Sequence, residues 1–266
     1  ADDWKLESLA PFLTEEVLTV SFEDGEVIRI RTTDATVKHQ GTCGGCTWTI
    51  DSDGLLTIKP TNGTSGQLAR VQGETQGVTQ WNVYQDEIKT VKFNNGVKAA
   101  ANSSAMFDGC TNLTSIDFGN FDTSTATNMY AMFKNCHSLT SLNLSNFNTA
   151  NVTRMDTMFC NCYALTNINT GNSFNTAKVT TMRYMFQNCQ RLTSDKLQPL
   201  INKFNTANVQ NMYDMFYRCY ALTYLNLSHF DTTNVTEMSY IFADCNGLQT
   251  LDISGFDTTN TTNLTA

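Results

Sequence analysis

Nine cysteines are the first candidates for chemistry in this chain of 266 residues. Six of them close a recurring phrase: Met106-Phe107-x-x-Cys110, Met132-Phe133-x-x-Cys136, Met158-Phe159-x-x-Cys162, Met185-Phe186-x-x-Cys189, Met215-Phe216-x-x-Cys219 and, with Ile for Met, Ile241-Phe242-x-x-Cys245. A structural zinc site gathers four ligands locally, often as paired C-x-x-C. Here the thiols come one per phrase, and His39, His137 and His229 stand alone. The spacing favours packing: cysteine is small and readily buried, and methionine fills irregular gaps. Disulfides between successive phrases are disfavoured, because stacked thiols with parallel Cβ vectors suit the required dihedral poorly. Cys160, which adds C-x-C with Cys162, reads as a variable position, and an odd count leaves at least one thiol unpaired in a monomer.

Two other stretches offer chemistry. Cys43-Gly-Gly-Cys46 has the spacing of a redox pair, but that role needs a helix starting at the first cysteine. The following "CTWTIDSDGLLTI" alternates apolar and polar residues about a turn, placing Trp48 and Ile50 across from Leu56 and Ile58, so a hairpin follows at once. Asp51-Ser-Asp53-Gly54 resembles the start of a calcium loop but lacks the later acidic ligands, which leaves a hairpin turn. No Ser-His-Asp or paired-carboxylate spacing is present, so no catalytic residue, metal ligand or cofactor is assigned and the chain is not expected to be an enzyme.

The elements that carry these residues repeat. Phe121, Phe147, Phe174, Phe204, Phe230 and Phe256 each open F-[DN]-T. From each of the first five of these Phe to its Cys the length is constant, whereas the segment from Cys to the next Phe runs 11, 11, 12, 15, 11 and 11 residues. That variable segment holds L-x-x-L-x-L, as in Leu139-x-x-Leu142-x-Leu144 and Leu222-x-x-Leu225-x-Leu227. A period near 26 residues with this phrase lies in the leucine-rich-repeat range. With "IKTVKFNNG" as an earlier turn, seven strands are expected, pairing in parallel, with V-x-x-M-x-x-M-F as a tight return arm. The Asp or Asn after each Phe is placed to cap that arm through a backbone N–H two or three residues on. The expected fold is an α/β solenoid, a right-handed leucine-rich-repeat superhelix of about seven turns. Residues 1–87 form a β-hairpin-rich N-terminal segment and cap, and residues 88–266 the solenoid.

Within residues 1–87, "VLTVSFEDGEVIRIRTT" reads as a hairpin, with Leu18, Val20 and Phe22 against Ile28 and Ile30 about Glu-Asp-Gly-Glu. A glycine-rich loop, "TNGTSGQLARVQGETQG", then leads to Trp81 and Tyr84. The net charge of −8 is concentrated here: residues 1–87 carry 6 Lys and Arg against 14 Asp and Glu, leaving 11 of each for residues 88–266. No basic stripe is available to neutralise phosphates, so nucleic acid is not an expected partner. No apolar run is long enough to span a membrane, and no signal sequence is apparent at the start. The sequons, such as Asn112-Leu-Thr and Asn234-Val-Thr, recur because the repeat contains them.

The repeat F-D-T-x-N-V-T-x-M-x-x-M-F-x-x-C-x-x-L-x-x-L-x-L-S resembles that of BspA-like bacterial surface proteins with leucine-rich repeats, over residues 41–266. "GTCGGCTWTIDSDGLLTIKP" and "WNVYQDEIKTVKF" also resemble the segment preceding the repeats in that family. The resemblance implies a secreted or cell-surface protein of bacteria, associated with adhesion to host proteins or neighbouring cells, and carries over no catalytic or binding residue. Two departures stand out: Asp195 occupies a core Leu position with extra residues in "DKLQPLINK", and the last repeat stops at "NLTA", as though the natural protein continued.

The expected function is a binding or adhesion module, with a passive stalk displaying another domain as the alternative. Its partner would be a host extracellular-matrix or cell-surface protein or glycan, and the chain itself a monomer. Insertions in solenoids gather on one face, often the recognition face. Outward strand positions form two polar columns: Ser115, Ser141, Asn167, Tyr224 and Thr250, then Asp117, Asn143, Asn169, Asn226 and Asp252. The longest insertion places Leu197, Leu200, Ile201 and Phe204 at helical spacing, suggesting a short helical bulge. The candidate binding residues are therefore Tyr224, Asn226, Asn143 and Asn169, with Lys196 and Lys203 on the bulge.

Overall fold

The computed structural model describes residues 35–69 and 79–265, together with the backbone of two strands before them. Contacts divide the chain into two compact units, residues 1–37 and 38–266. In the first, β1 (Val17–Ser21) pairs antiparallel with β2 (Val27–Arg31), Leu18 opposite Ile30 and Val20 opposite Ile28. This is the hairpin that the alternation predicts. Its turn and Phe22 lie outside the described residues, as do residues 70–78 of the glycine-rich loop.

The second unit begins at β3 (Val37–Cys43), β4 (Cys46–Asp51) and β5 (Leu55–Pro60). Trp48 faces Ile58 and Ile50 faces Leu56, as expected. Asp51 Oδ1 accepts the N–H groups of Asp53 and Leu55, both at 2.9 Å, and Gly54 turns the chain at φ +84°, so Asp-Ser-Asp-Gly is a hairpin turn. Cys43 and Cys46 flank the β3–β4 turn and are buried, donating to Ala69 O (2.9 Å) and Gly66 O (3.2 Å). Short β6 (Gly66–Gln67) and a 3₁₀ turn at Asn82–Glu87 lead into β7 (Thr90–Phe93). β8 (Val97–Lys98) pairs with β6, and β9 (Ser115–Asp117) with β7. β5 pairs in parallel with β7, so the hairpin region and the first repeats share one five-stranded sheet, β3-β4-β5-β7-β9.

The later repeats carry β10 (Ser141–Leu144), β11 (Asn167–Thr170), β12 (Tyr224–Asn226) and β13 (Thr250–Asp252), paired in parallel as β10–β11 and β12–β13. Six of the seven expected strands form. At the fifth repeat α1 (Ser194–Ile201) takes the strand's place. The physical reason is in the inserted stretch: Asp195 cannot fill a buried leucine position unpaired, while Leu197, Leu200 and Ile201 supply a helical apolar face, and all three are buried.

Along the return arms the pairing is unbroken. Asn102, Asn128, Arg154, Thr181, Asn211, Glu237 and Asn263 form a single parallel series of bridges. Alternate N–H groups reach the next repeat: Ala131 to Asp156 O (3.1 Å), Phe133 to Met158 O (3.0 Å), Asn135 to Cys160 O (2.9 Å). The residues between them close tight turns instead, such as Lys134 to Ala131 O at 3.1 Å. This division requires a left-handed residue twice per arm, before the second Met and before the Cys: Ala131 (φ 54°) and Asn135 (φ 59°), then Thr157 (φ 65°) and Asn161 (φ 60°). Asparagine tolerates that region, whereas Thr157 and Tyr184 occupy it at a cost of about 1 kcal/mol or more.

Side chains extend the ladder. In the first five F-[DN]-T phrases the Thr is buried between repeats: Thr149 Oγ1 donates to Asn175 O (2.8 Å) and accepts the Asn175 N–H, and Thr176 does the same with Asn205. The preceding Asn or Asp caps its own turn as expected, Asn148 Oδ1 accepting the Ala150 N–H (3.1 Å) and Asp231 Oδ1 that of Thr233 (3.0 Å). Asn135, Asn161 and Asn188 link amide to amide, 2.8 Å and then 2.7 Å apart. Inside, Phe107, Phe133, Phe159, Phe186 and Phe216 stack at 5.6–6.0 Å, nearly face to face, with Trp81 at the head of the column.

The cysteines belong to this packing. All nine are free and buried. In five repeats the thiol donates to the carbonyl of the Phe one turn back: Cys136 to Phe107 O (3.2 Å), Cys162 to Phe133 O (3.1 Å), Cys189 to Phe159 O (3.2 Å), Cys219 to Phe186 O (3.1 Å) and Cys245 to Phe216 O (3.0 Å). Burial pushes the thiols up, Cys245 to about 11 and Cys110 to about 12, so the reactive thiolate is scarce at neutral pH.

Two outcomes are expected. At pH 8 a thiol reagent should modify the six ladder cysteines only as fast as the protein opens; immediate labelling of most of them in the native state would contradict the packing role. Thr149→Val should destabilise by about 1–3 kcal/mol in denaturant unfolding, since it removes both of the hydroxyl's bonds to Asn175 and adds no cavity; an unchanged midpoint would show the hydroxyl to be dispensable.

Candidate functional site

The outward strand positions align in register, Ser141 beside Asn167, Asn143 beside Asn169, Tyr224 beside Thr250 and Asn226 beside Asp252. Most are exposed because their neighbours Leu142, Leu144, Ile168 and Leu225 point into the core. The columns are broken by α1, which lies between β11 and β12. Asn143 and Asn169 thus belong to one strand pair, Tyr224 and Asn226 to another.

Where a parallel strand is missing, the next strand's backbone needs other partners. α1 supplies them from side chains one helical turn apart. Ser194 Oγ accepts the N–H groups of Thr223 and Tyr224, both at 2.9 Å, and donates to Tyr224 O at 2.6 Å. Gln198 presents its amide like a peptide group: Oε1 accepts the Asn226 N–H and Nε2 donates to Asn226 O, both at 2.9 Å. Ser194 and Gln198 were not singled out from sequence; the signal that could have found them is their i, i+4 spacing, two polar residues on one flank of an apolar helix.

α1 is fastened at its ends. Asp195, in the first turn where a negative charge suits the helix dipole, accepts the Tyr224 hydroxyl at 3.0 Å, and this bond, then burial, raises the Tyr224 phenol above its ordinary value. At the other end His229 Nε2 lies 3.1 Å from Ile201 O, which requires that nitrogen to carry the proton. Lys203 donates to Thr170 O (2.7 Å), Thr170 Oγ1 (3.1 Å) and Gly171 O (3.3 Å), tying the segment after α1 to the end of β11. Lys203 therefore performs a structural task at the bulge, while Lys196 stands exposed on α1.

A shallow groove runs beside α1, lined by Gln198, Asn202, Tyr224, Leu225, Asn226, Thr250 and Asp252. It brings Tyr224 and Asn226 together with Asn202 and Asp252, and does not include Asn143 or Asn169. The latter two bond each other, Asn169 Nδ2 to Asn143 Oδ1 at 3.2 Å. Asn226 Oδ1 is occupied by Ser228, whose N–H (3.0 Å) and hydroxyl (2.7 Å) both donate to it, leaving its amide N–H₂ to face outward. Asp252 is held below the ordinary carboxylate range, first by its Ser254 side-chain hydrogen bond, and is ionised at neutral pH. The groove thus offers amide donors, one carboxylate and the edge of one tyrosine. Among the described residues no group of three His, Cys, Asp or Glu is placed to hold a metal, and no helix is long and apolar enough to cross a membrane.

A family profile described as "Mycoplasma protein of unknown function, DUF285" matches residues 74–199 and again residues 192–266. The chain belongs to this family. The two matches of the DUF285 profile meet at residues 192–199, within which α1 begins. No curated protein matches the chain. Among solved structures, a leucine-rich repeat protein from Eubacterium ventriosum is 14% identical over 79% of this chain and 82% of its own, with a TM-score of 0.27. A leucine rich cell surface protein from Faecalibacterium prausnitzii is 13% identical over 83% of this chain and 96% of its own, with a TM-score of 0.18.

Replacing Ser194 with Ala should cost this DUF285 protein about 1–3 kcal/mol, measured by denaturant unfolding, because two part-buried N–H groups lose their acceptor. Hydrogen exchange should show the Thr223 and Tyr224 amides losing protection first; uniform protection in the variant would contradict the edge-sealing role.

Proposed function

We propose that this DUF285 protein is a binding module of a bacterial cell surface, built as a right-handed leucine-rich-repeat solenoid of the BspA-like kind, and that it attaches to a host or neighbouring-cell protein or glycan. The observation that carries the reading is the groove beside α1. It lies where the longest inserted segment interrupts the repeat, and insertions in stacked repeats collect on recognition faces. Its groups suit hydrogen bonding to a polar ligand: Asn202 and Asn226 amides, the Tyr224 ring and the Asp252 carboxylate. The neutral outward positions of β10 and β11, with Asn143 and Asn169, form a separate polar surface beyond α1 that a larger partner would also cover. Lys196, exposed on α1, carries a charge that Lys203 does not offer.

The reading assigns binding and no catalysis. The test is a screen of the intact chain against immobilised matrix proteins and a glycan array, followed by Tyr224→Ala and by Asn226→Ala in the same assay. Saturable binding that falls about tenfold in either variant, each still folding cooperatively, is the expected result. A partner bound equally well by both folded variants would move the site elsewhere, and failure to bind any partner would favour a passive stalk.

A further inference from the structure

The return arms carry a second pattern on their outer surface. Asp156 is buried, its side chain 1% exposed, and is matched by arginine. Arg154 pairs with it at two points, Nε to Oδ1 at 3.1 Å and Nη2 to Oδ2 at 2.9 Å, while its guanidinium lies 4.9 Å from the Tyr130 ring centre. Arg183 adds its Nε at 3.7 Å from Oδ2 and rests over Tyr184 at 5.4 Å. A carboxylate withdrawn from water on this arm is thus balanced by guanidinium held on tyrosine faces, an arrangement in which charge pairing and cation–π attraction act together.

Asp214, two repeats later and one position further along the arm, has the same burial without the arginine. It is 8% exposed. Oδ2 accepts one weak bond, from Gln187 Nε2 at 3.3 Å, and among the described residues Oδ1 has no hydrogen-bond partner. In the bridge series that contains Arg154, this part of the stack carries neutral Asn211 and then, in the next repeat, acidic Glu237, so no positive charge stands at the pairing position. The nearby Arg218 is engaged with Asp244 at 3.0 Å and lies over Tyr217 at 4.8 Å. Around Asp214 a groove is lined by Tyr213, Tyr217, Tyr240, Ala243 and Asp244. Tyr213 and Tyr240 meet edge to face at 5.9 Å, and Tyr240 is 38% exposed.

We propose that this groove binds the guanidinium group of an arginine side chain presented by a partner protein, with Asp214 as its carboxylate and Tyr213, Tyr217 and Tyr240 as its walls. The ligand supplies what Arg154 supplies to Asp156 within the chain. A guanidinium fits better than a metal ion, because hard cations demand several oxygen ligands and this groove offers one unpaired carboxylate among aromatic rings. It fits better than an ammonium because its planar fork meets a carboxylate at two points and stacks on rings. Oδ1 is buried at the groove, so the ligand must displace part of the groove wall to reach it. Burial, then Glu237, pushes the Asp214 carboxyl up to about 6. The charged and titratable groups facing it are Glu237, Asp244, Arg218, Cys160 and the three tyrosines, and the Asp214 carboxyl itself changes charge between pH 5 and 7. The site lies on the return arm, apart from the groove beside α1, so the two stand or fall separately.

The test is a titration of the intact chain, followed by NMR or calorimetry, with N-acetyl-arginine amide, its neutral isostere N-acetyl-citrulline amide, and choline. The arginine derivative should bind with a millimolar dissociation constant at pH 7, about tenfold more weakly at pH 5, where the carboxyl is mostly protonated, and about tenfold more weakly in Asp214→Asn. Citrulline should show no saturable shift, and choline should bind more weakly than arginine. Equal binding of citrulline, tighter binding of choline, no saturable arginine shift, or unchanged affinity in Asp214→Asn would each overturn the proposal. A second readout checks the variant's fold and the carboxyl's state together. Because the folded value of Asp214 lies above its ordinary 3.8, its ionisation costs stability as pH rises through about 6. Asp214→Asn should therefore melt higher than the parent at pH 7, with the difference shrinking at pH 5. A parent that is at least as stable as the variant at pH 7 would show that the carboxylate already has its partner.

Discussion

Hydrogen bonding between one repeat and the next, in a register that does not slip, is the constraint on which the rest of this structure depends. A single turn of the repeat is too small to bury its leucines and phenylalanines, and only stacking makes a core. Stacking in turn demands that every inward-lying backbone group find a partner above or below it. The return arm meets that demand by dividing its N–H groups between two directions, half closing tight turns and half pointing along the stack. Left-handed residues at Ala131, Asn135, Thr157 and Asn161 make the division possible. Their backbone cost is offset because a buried N–H without a partner costs more.

This explains why the repeat is rigid in one half and variable in the other. From Phe to Cys every residue is committed: the Phe and Met fill the core, the Thr hydroxyl bridges to the next turn, and the thiol reaches the previous Phe carbonyl. One added residue would shift all these bonds at once. From Cys to Phe the requirement is looser, since the strand must satisfy its neighbour's edge and bury its apolar side. α1 does both by other means, with Ser194 and Gln198 in place of a strand's peptide groups and Leu197, Leu200 and Ile201 in place of the strand leucines. The repeat tolerates a helix there because side-chain amides and hydroxyls carry the same donors and acceptors as the backbone.

The same accounting narrows where recognition can occur. Most polar side chains on the stack are consumed internally: asparagine bonds asparagine, threonine bonds the next backbone, and Lys203 closes the end of β11. Unspent capacity collects where the pattern is broken, beside α1 and around Asp214. At the first, an inserted helix opens a groove of amides; at the second, a buried carboxylate has lost the arginine that its counterpart Asp156 keeps. Each site differs from its neighbours by a change in the repeat and not by a new element.

The period, the antiparallel pairing of β1 with β2, the hairpin about Asp-Ser-Asp-Gly, the parallel strands and the structural use of the cysteines were legible in the sequence, because each follows from local spacing. The Asx caps were legible for the same reason. What the sequence could not decide was how copies meet. That Cys162 donates to Phe133, that Thr149 bridges to Asn175 and that Asn161 joins Asn135 depends on register between residues about 26 apart, which pattern alone does not reveal. The inserted segment was read as a strand running into a short helical bulge; the helix forms, but in the strand's place, and only the tertiary structure shows it sealing the edge of β12. The candidate residues divided likewise. Tyr224 and Asn226 were found by alternation and do line a groove, whereas Lys203 proved to be bound and Asp214 went unnoticed. A charged side chain's role depends on which partner the fold brings within about 3 Å, and that distance is set by packing across repeats, not by position along the chain.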